Sequence, residues 1–222
     1  MQKYSGKFIT FEGGEGTGKS TQIKLLSDVL TACGINNVLT KEPGGTDLGL
    51  DIRKMLVTGD ADKMDAIAEA LLYYADRRIH LTKKILPLLS EGNWVISDRF
   101  ADSTKAYQYY GYDKRVPEKV LDDLYNLAVG DFKPDLTIIL DLDPKIGLER
   151  SFAKAGNMEV KELRHESREL AFHNNLRQGF LEIAIQEPER CVVLNANKSI
   201  SDLHNEIVNL VMQRFEGDLC RR

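Results

Sequence analysis

The chain has 222 residues, a formal net charge of −4 and 42% hydrophobic residues, which suits one α/β domain with a buried core. No basic block runs through the sequence and no apolar run is long enough to span a membrane, so neither a nucleic-acid coat protein nor a membrane protein is expected. The three cysteines form no CxxC pair and the N-terminus shows no signal peptide, so we expect a reduced, cytoplasmic setting.

Strand-like and helix-like segments alternate along the chain, which predicts an α/β fold with a five-stranded parallel sheet and helices on both faces. The strands are expected at residues 7–11, 37–41, 94–98, 136–141 and 191–194. The helices are expected at residues 20–33, 65–89, 117–129, 144–154, 163–186 and 200–215. Proline is expected at or near the first position of the third and fourth helices.

These elements predict a single domain over residues 1–215, followed by a flexible tail at residues 216–222. A segment at about residues 155–166 carries glycine, asparagine and mixed charges between two helices, and we interpret it as a small mobile lid. An ordinary surface loop is the alternative interpretation of that segment.

The strongest motif follows the first predicted strand and opens the first predicted helix. It matches GxxxxGK[ST] and consists of Gly13, Gly14, Glu15, Gly16, Thr17, Gly18, Lys19 and Ser20. Glycines let backbone N–H groups approach a polyphosphate, and the new helix adds its N-terminal dipole. We therefore predict a protein of the P-loop NTPase fold that binds the phosphates of a nucleoside triphosphate. Lys19 is expected at the β- and γ-phosphates, Ser20 at Mg²⁺, and Thr21 at the α-phosphate.

The third predicted strand ends in Asp98 and Arg99. In an open α/β sheet, ligands bind beyond the carboxyl ends of the strands. Asp98 is therefore a candidate to orient Mg²⁺-bound water. Arg99 is a candidate to bridge two phosphates, where charge builds up during phosphoryl transfer. The alternative is a surface salt bridge.

Two further groups of residues are candidates for substrate contacts. Tyr73 and Arg77 are four residues apart and share one helix face, where a ring can stack on a base and a guanidinium can bind a base carbonyl. The alternative is a tyrosine packed on the core beside an exposed arginine. Cations at positions 150, 154, 161 and 164 flank or occupy the lid, and a solvated surface is the alternative there.

Taken together, these segments resemble the thymidylate kinase family, in order from about residue 8 to about residue 184. The family's phosphate loop E-G-x-[DE]-x-x-G-K-[ST] occurs at residues 12–20, and its E-P-G-G-T segment at residues 42–46. Its helix motif L-L-[FY]-x-A-D-R occurs at residues 71–77, and its D-R-[YFH]-x-x-S-x-x-A-Y-Q stretch at residues 98–108. A bacterial-type lid occurs as Arg-His-Glu at residues 164–166.

The resemblance implies roles for individual residues. Glu15 resembles the acidic residue near the acceptor's 3′-hydroxyl, Tyr73 the ring that stacks on thymine, and Arg77 the residue that contacts O4. Arg99 resembles the phosphate-bridging catalytic arginine, and Arg164 the lid residue that acts as a finger, because position 16 is glycine. The remaining implied substrate contacts are Arg53 at the acceptor phosphate, Ser103, Thr104 at thymine N3, and Tyr107 and Gln108 around the sugar and base.

The implied reaction is Mg²⁺-dependent transfer of the γ-phosphoryl group of ATP to dTMP, giving dTDP and ADP, by a homodimer. One rival is a kinase for another small acceptor, such as a deoxynucleoside or UMP. A second rival is a P-loop switch, which would hydrolyse nucleotide slowly with no acceptor. A third is a structural protein with a vestigial loop.

Overall fold

The computed structural model describes residues 4–60, 63–114, 116–155 and 168–219. Its sheet has the strand order β2-β3-β1-β4-β5, with every neighbouring pair parallel. The strands are β1 (Phe8–Glu12), β2 (Asn37–Lys41), β3 (Trp94–Asp98), β4 (Leu136–Asp141) and β5 (Cys191–Asn195). The predicted five-stranded parallel sheet is confirmed, with β1 shifted by one residue and β5 ending one residue later.

The helices lie between the strands. They are α1 (Lys19–Ala32), α2 (Asp47–Val57), α3 (Ala66–His80), α4 (Leu86–Ser90), α5 (Ala101–Thr104), α6 (Glu118–Ala128), α7 (Pro144–Ala155), α8 (Leu170–Gln186), α9 (Ile200–Arg214) and α10 (Glu216–Leu219). Two π-helical segments, π1 (Leu81–Ile85) and π2 (Lys105–Gly111), continue α3 and α5. Among the described residues, no helix is long and apolar enough to cross a membrane.

Besides the short α10, which lies in the predicted tail, two helical regions of the described chain were not predicted from the sequence. The first is α2, where Thr46 caps the N-terminus by accepting a hydrogen bond from the Gly49 backbone N–H at 3.1 Å. Gly49 interrupts the pattern, yet a Cβ there would lie 2.3 Å from Asp76 Oδ1, so a larger residue would displace the Asp76 carboxyl group. The second is α5 with π2, whose mixed polar and aromatic residues show no clear amphipathic period.

The remaining helix predictions are confirmed with shifted ends. The long helix predicted at residues 65–89 is a run of α3, π1 and α4, and Asp65 caps it by accepting from Ala68 N at 2.8 Å. The third predicted helix begins at Glu118, because Pro117 is its N-cap. The helix predicted to start at residue 163 is α8, which begins at Leu170. Residues 168 and 169 are not helical, and Glu169 has extended backbone angles. Residues 163–167 lie outside the described part of the chain.

Helices cover both faces of the sheet, as predicted. Side chains of a strand alternate between faces, so Ile9 and Phe11 pack in one core cluster with α1 and α9. Phe8 packs in a second cluster with α3, π1 and α4. Thr10 and Glu12 lie on the same face of β1 as Phe8, because side chains two residues apart share a strand face. Because all strands run in the same direction, their carboxyl ends meet at one edge of the sheet, where the predicted site residues follow.

Candidate active site

The phosphate loop lies between β1 and α1 at the carboxyl edge of the sheet. Gly13, Gly16 and Gly18 have φ angles of 128°, 65° and 93°, a region that other residues rarely adopt. The Lys19 ammonium donates to the carbonyl oxygens of Gly13 at 3.0 Å and Gly14 at 2.8 Å. The loop therefore curls around Lys19, the residue that was predicted from the sequence to contact the β- and γ-phosphates.

A close approach of two backbones fixes the middle of this loop. A Cβ on Gly16 would lie 2.0 Å from the Gly147 carbonyl oxygen of α7, and a Cβ on Gly147 would lie 2.4 Å from the Glu15 carbonyl oxygen. Neither position therefore admits a side chain without movement of the loop or of α7.

Lys19 is almost fully buried, with 7% of its surface exposed. Burial lowers the pKa of its ammonium, and the nearby positive charge of Arg99 lowers it further. Both effects disfavour the cation as the site stands. A polyphosphate in the loop would reverse them, so the electrostatics of the loop favour an anionic ligand.

Ser20 and Asp98 come together beside the loop. The Ser20 hydroxyl donates to Asp98 Oδ2 at 2.9 Å, although the two residues are 78 positions apart. A hydroxyl and a carboxylate are the hard oxygen donors that suit Mg²⁺, which keeps several waters and phosphate oxygens as its other ligands. The described residues contain no group of three or more His, Cys, Asp or Glu side chains that could hold a metal ion.

A cleft of about 150 Å³ opens next to the loop. It contains all nine residues that the sequence assigned to the acceptor substrate, which are Glu15, Arg53, Tyr73, Arg77, Arg99, Ser103, Thr104, Tyr107 and Gln108. Four further lining residues were not predicted, namely Glu42, Pro43, Val57 and Phe100. Glu42 and Pro43 belong to a motif that was recognised but given no role, and Val57 ends the helix that was not predicted.

Arg77 lies at the base of this cleft with 1% of its surface exposed, so the alternative of an exposed arginine is wrong. Its Nε donates to Glu42 Oε2 at 2.8 Å. Its Nη2 donates to the Phe100 carbonyl and to Thr104 Oγ1, each at 3.0 Å. Its Nη1 is buried and has no hydrogen-bond partner among the described residues. One nitrogen of a fixed guanidinium is thus left as a donor for a ligand.

A chain of hydrogen bonds behind Arg77 holds Glu42 in place. The His80 ring donates from Nδ1 to Glu42 Oε1 at 2.9 Å, because a carboxylate only accepts. His80 Nε2 lies 2.7 Å from Thr40 Oγ1 at the carboxyl end of β2. Both Glu42 oxygens therefore have partners, and the carboxylate cannot turn away from Arg77.

Gln108, on another wall of the cleft, is also held in place by a buried carboxyl group. Its Nε2 donates to Glu69 Oε2 at 2.9 Å, and Glu69 has no exposed surface. The contact fixes the orientation of the amide, and Gln108 Oε1 is buried without a hydrogen-bond partner in the described structure. The cleft thus offers an unpartnered acceptor as well as the unpartnered donor of Arg77.

Arg99 joins the cleft to the phosphate loop. Its Nη1 donates to the Gly13 carbonyl and to Ser103 Oγ, each at 3.0 Å, and its Nη2 donates to Glu15 Oε1 at 3.0 Å. Its guanidinium also lies over the Tyr107 ring, 5.0 Å from the centroid. The simple surface salt bridge considered above is therefore wrong for Arg99, which is held by several partners at the junction of two sites.

Other predicted residues lie around Arg99 and the phosphate loop. The Tyr107 hydroxyl donates to Glu15 Oε1, so this oxygen accepts hydrogen bonds from both Tyr107 and Arg99. Arg53 donates from Nη1 to the Pro43 carbonyl at 3.0 Å and lines the cleft from α2. Thr21 is exposed at the start of α1. The predicted lid residue Arg164 and most of the predicted lid lie outside the described residues.

Known proteins are similar to this chain in sequence and in fold. The sequence model of the thymidylate kinase family matches residues 11–207. The chain is 46% identical over 210 residues to the thymidylate kinase of Caulobacter vibrioides (strain ATCC 19089 / CIP 103742 / CB 15), covering 95% of this chain and 98% of that one. Identity to the thymidylate kinase of Bradyrhizobium sp. (strain ORS 278) is 44% over 210 residues, covering 95% and 91%. A crystal structure of thymidylate kinase from Ehrlichia chaffeensis aligns with a TM-score of 0.74 and 36% identity, covering 93% of this chain and 98% of that one.

Proposed function

Because the chain belongs to the thymidylate kinase family, we propose that it transfers the γ-phosphoryl group of ATP to dTMP and releases dTDP and ADP. The observation that carries this proposal is the position of Arg99. Its guanidinium contacts the Gly13 carbonyl of the phosphate loop and also lines the neighbouring cleft. One side chain thus reaches both the donor and the acceptor site, as direct transfer between two phosphates requires.

The chain's part in the chemistry is to position two phosphates in line and to neutralise the charge that develops between them. Lys19 supplies positive charge from the phosphate loop, and Arg99 supplies it from the cleft. No general base is required, because the acceptor phosphate is already anionic.

The acceptor's base lies in the cleft between Tyr73 and the polar groups of its floor. Tyr73 stacks on the thymine ring, and Arg77 Nη1 donates to O4. Thr104 lies near N3, and Gln108 borders the base and sugar. The unpartnered Nη1 of Arg77 supports this arrangement, since a ligand carbonyl would satisfy it.

The other end of the acceptor extends from the base pocket towards the phosphate loop. Arg53 holds the acceptor phosphate, Ser103 lines its path, and Glu15 lies near the 3′-hydroxyl. Tyr107 closes the sugar pocket, where a ribose 2′-hydroxyl would find little room. All four residues line the same cleft, which supports these roles.

Ser20 and Asp98 are the residues that would hold Mg²⁺, Asp98 partly through water. Bound there, Mg²⁺ supplies charge neutralisation at the phosphate oxygens of ATP. The 2.9 Å contact between the Ser20 hydroxyl and the Asp98 carboxylate supports the assignment. Thr21 lies next along α1, where it would meet the α-phosphate.

We assign the finger role to Arg164, in a lid at about residues 155–166 of a single domain that ends at about residue 215. Glycine at position 16 supports this role, because the phosphate loop has no arginine of its own to close on the triphosphate. Arg164→Ala should lower kcat far more than it weakens dTMP binding, measured by steady-state kinetics and calorimetry. Equal losses in both quantities would argue against a finger.

The enzyme is further proposed to act as a cytoplasmic homodimer. The free thiols Cys33 and Cys191 suit a reducing compartment. Apolar side chains remain exposed on α2 and α3, including Met55 at 48% and Leu71 at 53%, and they would be covered by a second copy. Light scattering should give the mass of a dimer, and Leu71→Glu should shift it towards the monomer. A monomeric wild-type chain at micromolar concentration would contradict the dimer.

The decisive experiment measures ADP release from Mg·ATP with dTMP, dUMP, UMP, dCMP, thymidine or no acceptor. Strong stimulation by dTMP, with a weaker response to dUMP, is expected. Stimulation by a different acceptor alone would still indicate a P-loop kinase, but it would contradict the assignment of the base pocket to thymine. Release that ignored every acceptor would indicate the switch class instead.

A further inference from the structure

Glu12 is a buried acid that the proposed mechanism does not use. It is the last residue of β1, has no exposed surface and is not among the residues that line the acceptor cleft. Burial, together with the negative charge of Asp102, raises the pKa of its carboxyl from 4.5 to about 8. A carboxyl group in such a place needs partners that compensate for its lost hydration.

Both oxygens of Glu12 are bound to the segment that carries Arg99. Glu12 Oε1 accepts a hydrogen bond from the Phe100 backbone N–H at 2.8 Å. Its Oε2 accepts one from the Ser103 hydroxyl at 2.5 Å. These partners lie one and four residues after Arg99, so a single carboxyl group spans the turn that follows β3.

The backbone of Arg99 needs such support, because its φ angle is 73°, which is unfavourable for a residue with a Cβ. Three hydrogen bonds fix this conformation. Arg99 N donates to the Phe11 carbonyl at 2.9 Å, and the Ser97 hydroxyl donates to the Arg99 carbonyl at 2.7 Å. The third is the bond from Phe100 N to Glu12, on the peptide that follows Arg99.

Glu12 also acts on the far end of the same side chain. Ser103 Oγ accepts from Arg99 Nη1 at 3.0 Å while its hydroxyl hydrogen is donated to Glu12. The Ser103 oxygen thus binds the guanidinium and the Glu12 carboxyl group at the same time. Glu12 therefore holds the peptide that follows Arg99 directly, and the Arg99 guanidinium through Ser103.

We propose that Glu12 is a positioning residue for phosphoryl transfer, which holds Arg99 in the one conformation that reaches both phosphates. The proposal rests on the function assigned to Arg99 above. It gives Ser103 a second task, as the link between Glu12 and the guanidinium. Glu12 does not line the acceptor cleft, so its loss acts through Arg99 and Ser103.

Two substitutions test the geometry. Glu12→Ala removes both acceptors, and a misplacement of about 1 Å at a catalytic group costs about 100-fold in rate. We expect kcat to fall by about that factor, with the KM values for dTMP and ATP within about threefold of wild type. Glu12→Gln keeps an acceptor for Phe100 N–H and a polar partner for Ser103, so kcat should stay within about tenfold of wild type. A Gln variant as impaired as the Ala variant, or an effect on KM alone, would overturn the proposal.

A double-mutant cycle separates this proposal from the function assigned to Arg99. Arg99→Ala alone should lower kcat by at least about 1,000-fold, and if it does not, the role of Arg99 fails. If it does, adding Glu12→Ala to the Arg99→Ala chain should change kcat by less than about threefold, because Glu12 has nothing left to position. A further loss as large as in the wild-type background would show that Glu12 acts elsewhere.

Thr10→Val is the matched control for a loss of stability. Thr10 lies two residues before Glu12 on the same strand face, has no exposed surface and shares a 2.8 Å hydrogen bond with Thr137. Valine keeps the shape and removes the bond. It should lower the Tm while leaving kcat unchanged. A fall in kcat equal to that of Glu12→Ala would mean that weakening β1 is enough to impair turnover, and it would overturn the positioning role.

Discussion

Replacement of Glu42 by alanine should destabilise the protein far more than removal of an exposed acid. Glu42 accepts from Arg77 Nε at 2.8 Å and from His80 Nδ1 at 2.9 Å, and the side chains of the ion pair are only 1% and 2% exposed. An arginine cannot lose its proton in a protein, so its charge would stay buried without this partner. Breaking a buried pair costs about 3–5 kcal/mol. The carboxyl of Asp76 also interacts with the positive charge of Arg77 and would compensate for part of the loss. We therefore expect a loss of about 3 kcal/mol, the lower end of that range.

Urea unfolding at constant pH measures this loss directly, with Asp123→Ala as the control. Asp123 pairs with Lys119 one turn away at 2.7 Å, and both side chains are mostly exposed. Such a pair contributes about 0.3–0.5 kcal/mol. Since total stability is typically about 5–15 kcal/mol, the Glu42 variant should remain folded and measurable. The same variant should raise the KM for dTMP, because Arg77 loses the carboxylate that orients it.

The double variant Glu42→Ala with Arg77→Met tests the cause. Once the guanidinium is removed, the missing carboxylate no longer strands a charge. The double variant should therefore lose less stability than the sum of the two single losses. A Glu42→Ala loss below about 1 kcal/mol, or strict additivity in the double variant, would refute the reasoning from burial.

Three further predictions concern the phosphate loop and its strand. Lys19→Ala should lower kcat by at least about 100-fold, and turnover within a fewfold of wild type would remove Lys19 from the site. Gly16→Ala should lose more stability in urea than Gly130→Ala, because both have left-handed backbones but only Gly16 faces another backbone atom; equal losses would contradict the clash. Burial raises the pKa of Glu12 from 4.5 to about 8. Its contribution is therefore fully present below about pH 4.5 and is lost as the pH rises towards 8, and Glu12→Gln should remove that part of the decline in urea titrations at several pH values.

The sequence alone sufficed where one segment carries its own signal. The phosphate loop is local, since its glycines, Lys19 and the flanking strand and helix are contiguous and each has a physical reason to be there. The five strands were found because buried parallel strands are short apolar runs. The residues that line the cleft were predicted as a group only from the chain's resemblance to a family, since they come from four separate regions and no spacing predicts that they meet.

What could not be predicted depends on contacts between distant residues. Glu42 lies in a recognised motif, but its role becomes visible only when Arg77 and His80 are seen around it. Glu12 falls one residue beyond the predicted end of the first strand, and no pattern distinguishes a buried acid from an exposed one at a strand end. The α2 helix was missed because Gly49 weakens its period, although a side chain at this position would displace the Asp76 carboxyl group.

The contact between Gly16 and Gly147 limits how this enzyme could be altered by substitution. An arginine placed at position 16 would put a finger in the phosphate loop itself, but its Cβ would lie 2.0 Å from the Gly147 carbonyl oxygen. Moving α7 away would relieve the clash and would also shift the start of the segment that carries Arg164. The two possible sources of a finger are therefore not interchangeable one residue at a time. A redesign that exchanges one for the other must rebuild the phosphate loop and α7 together.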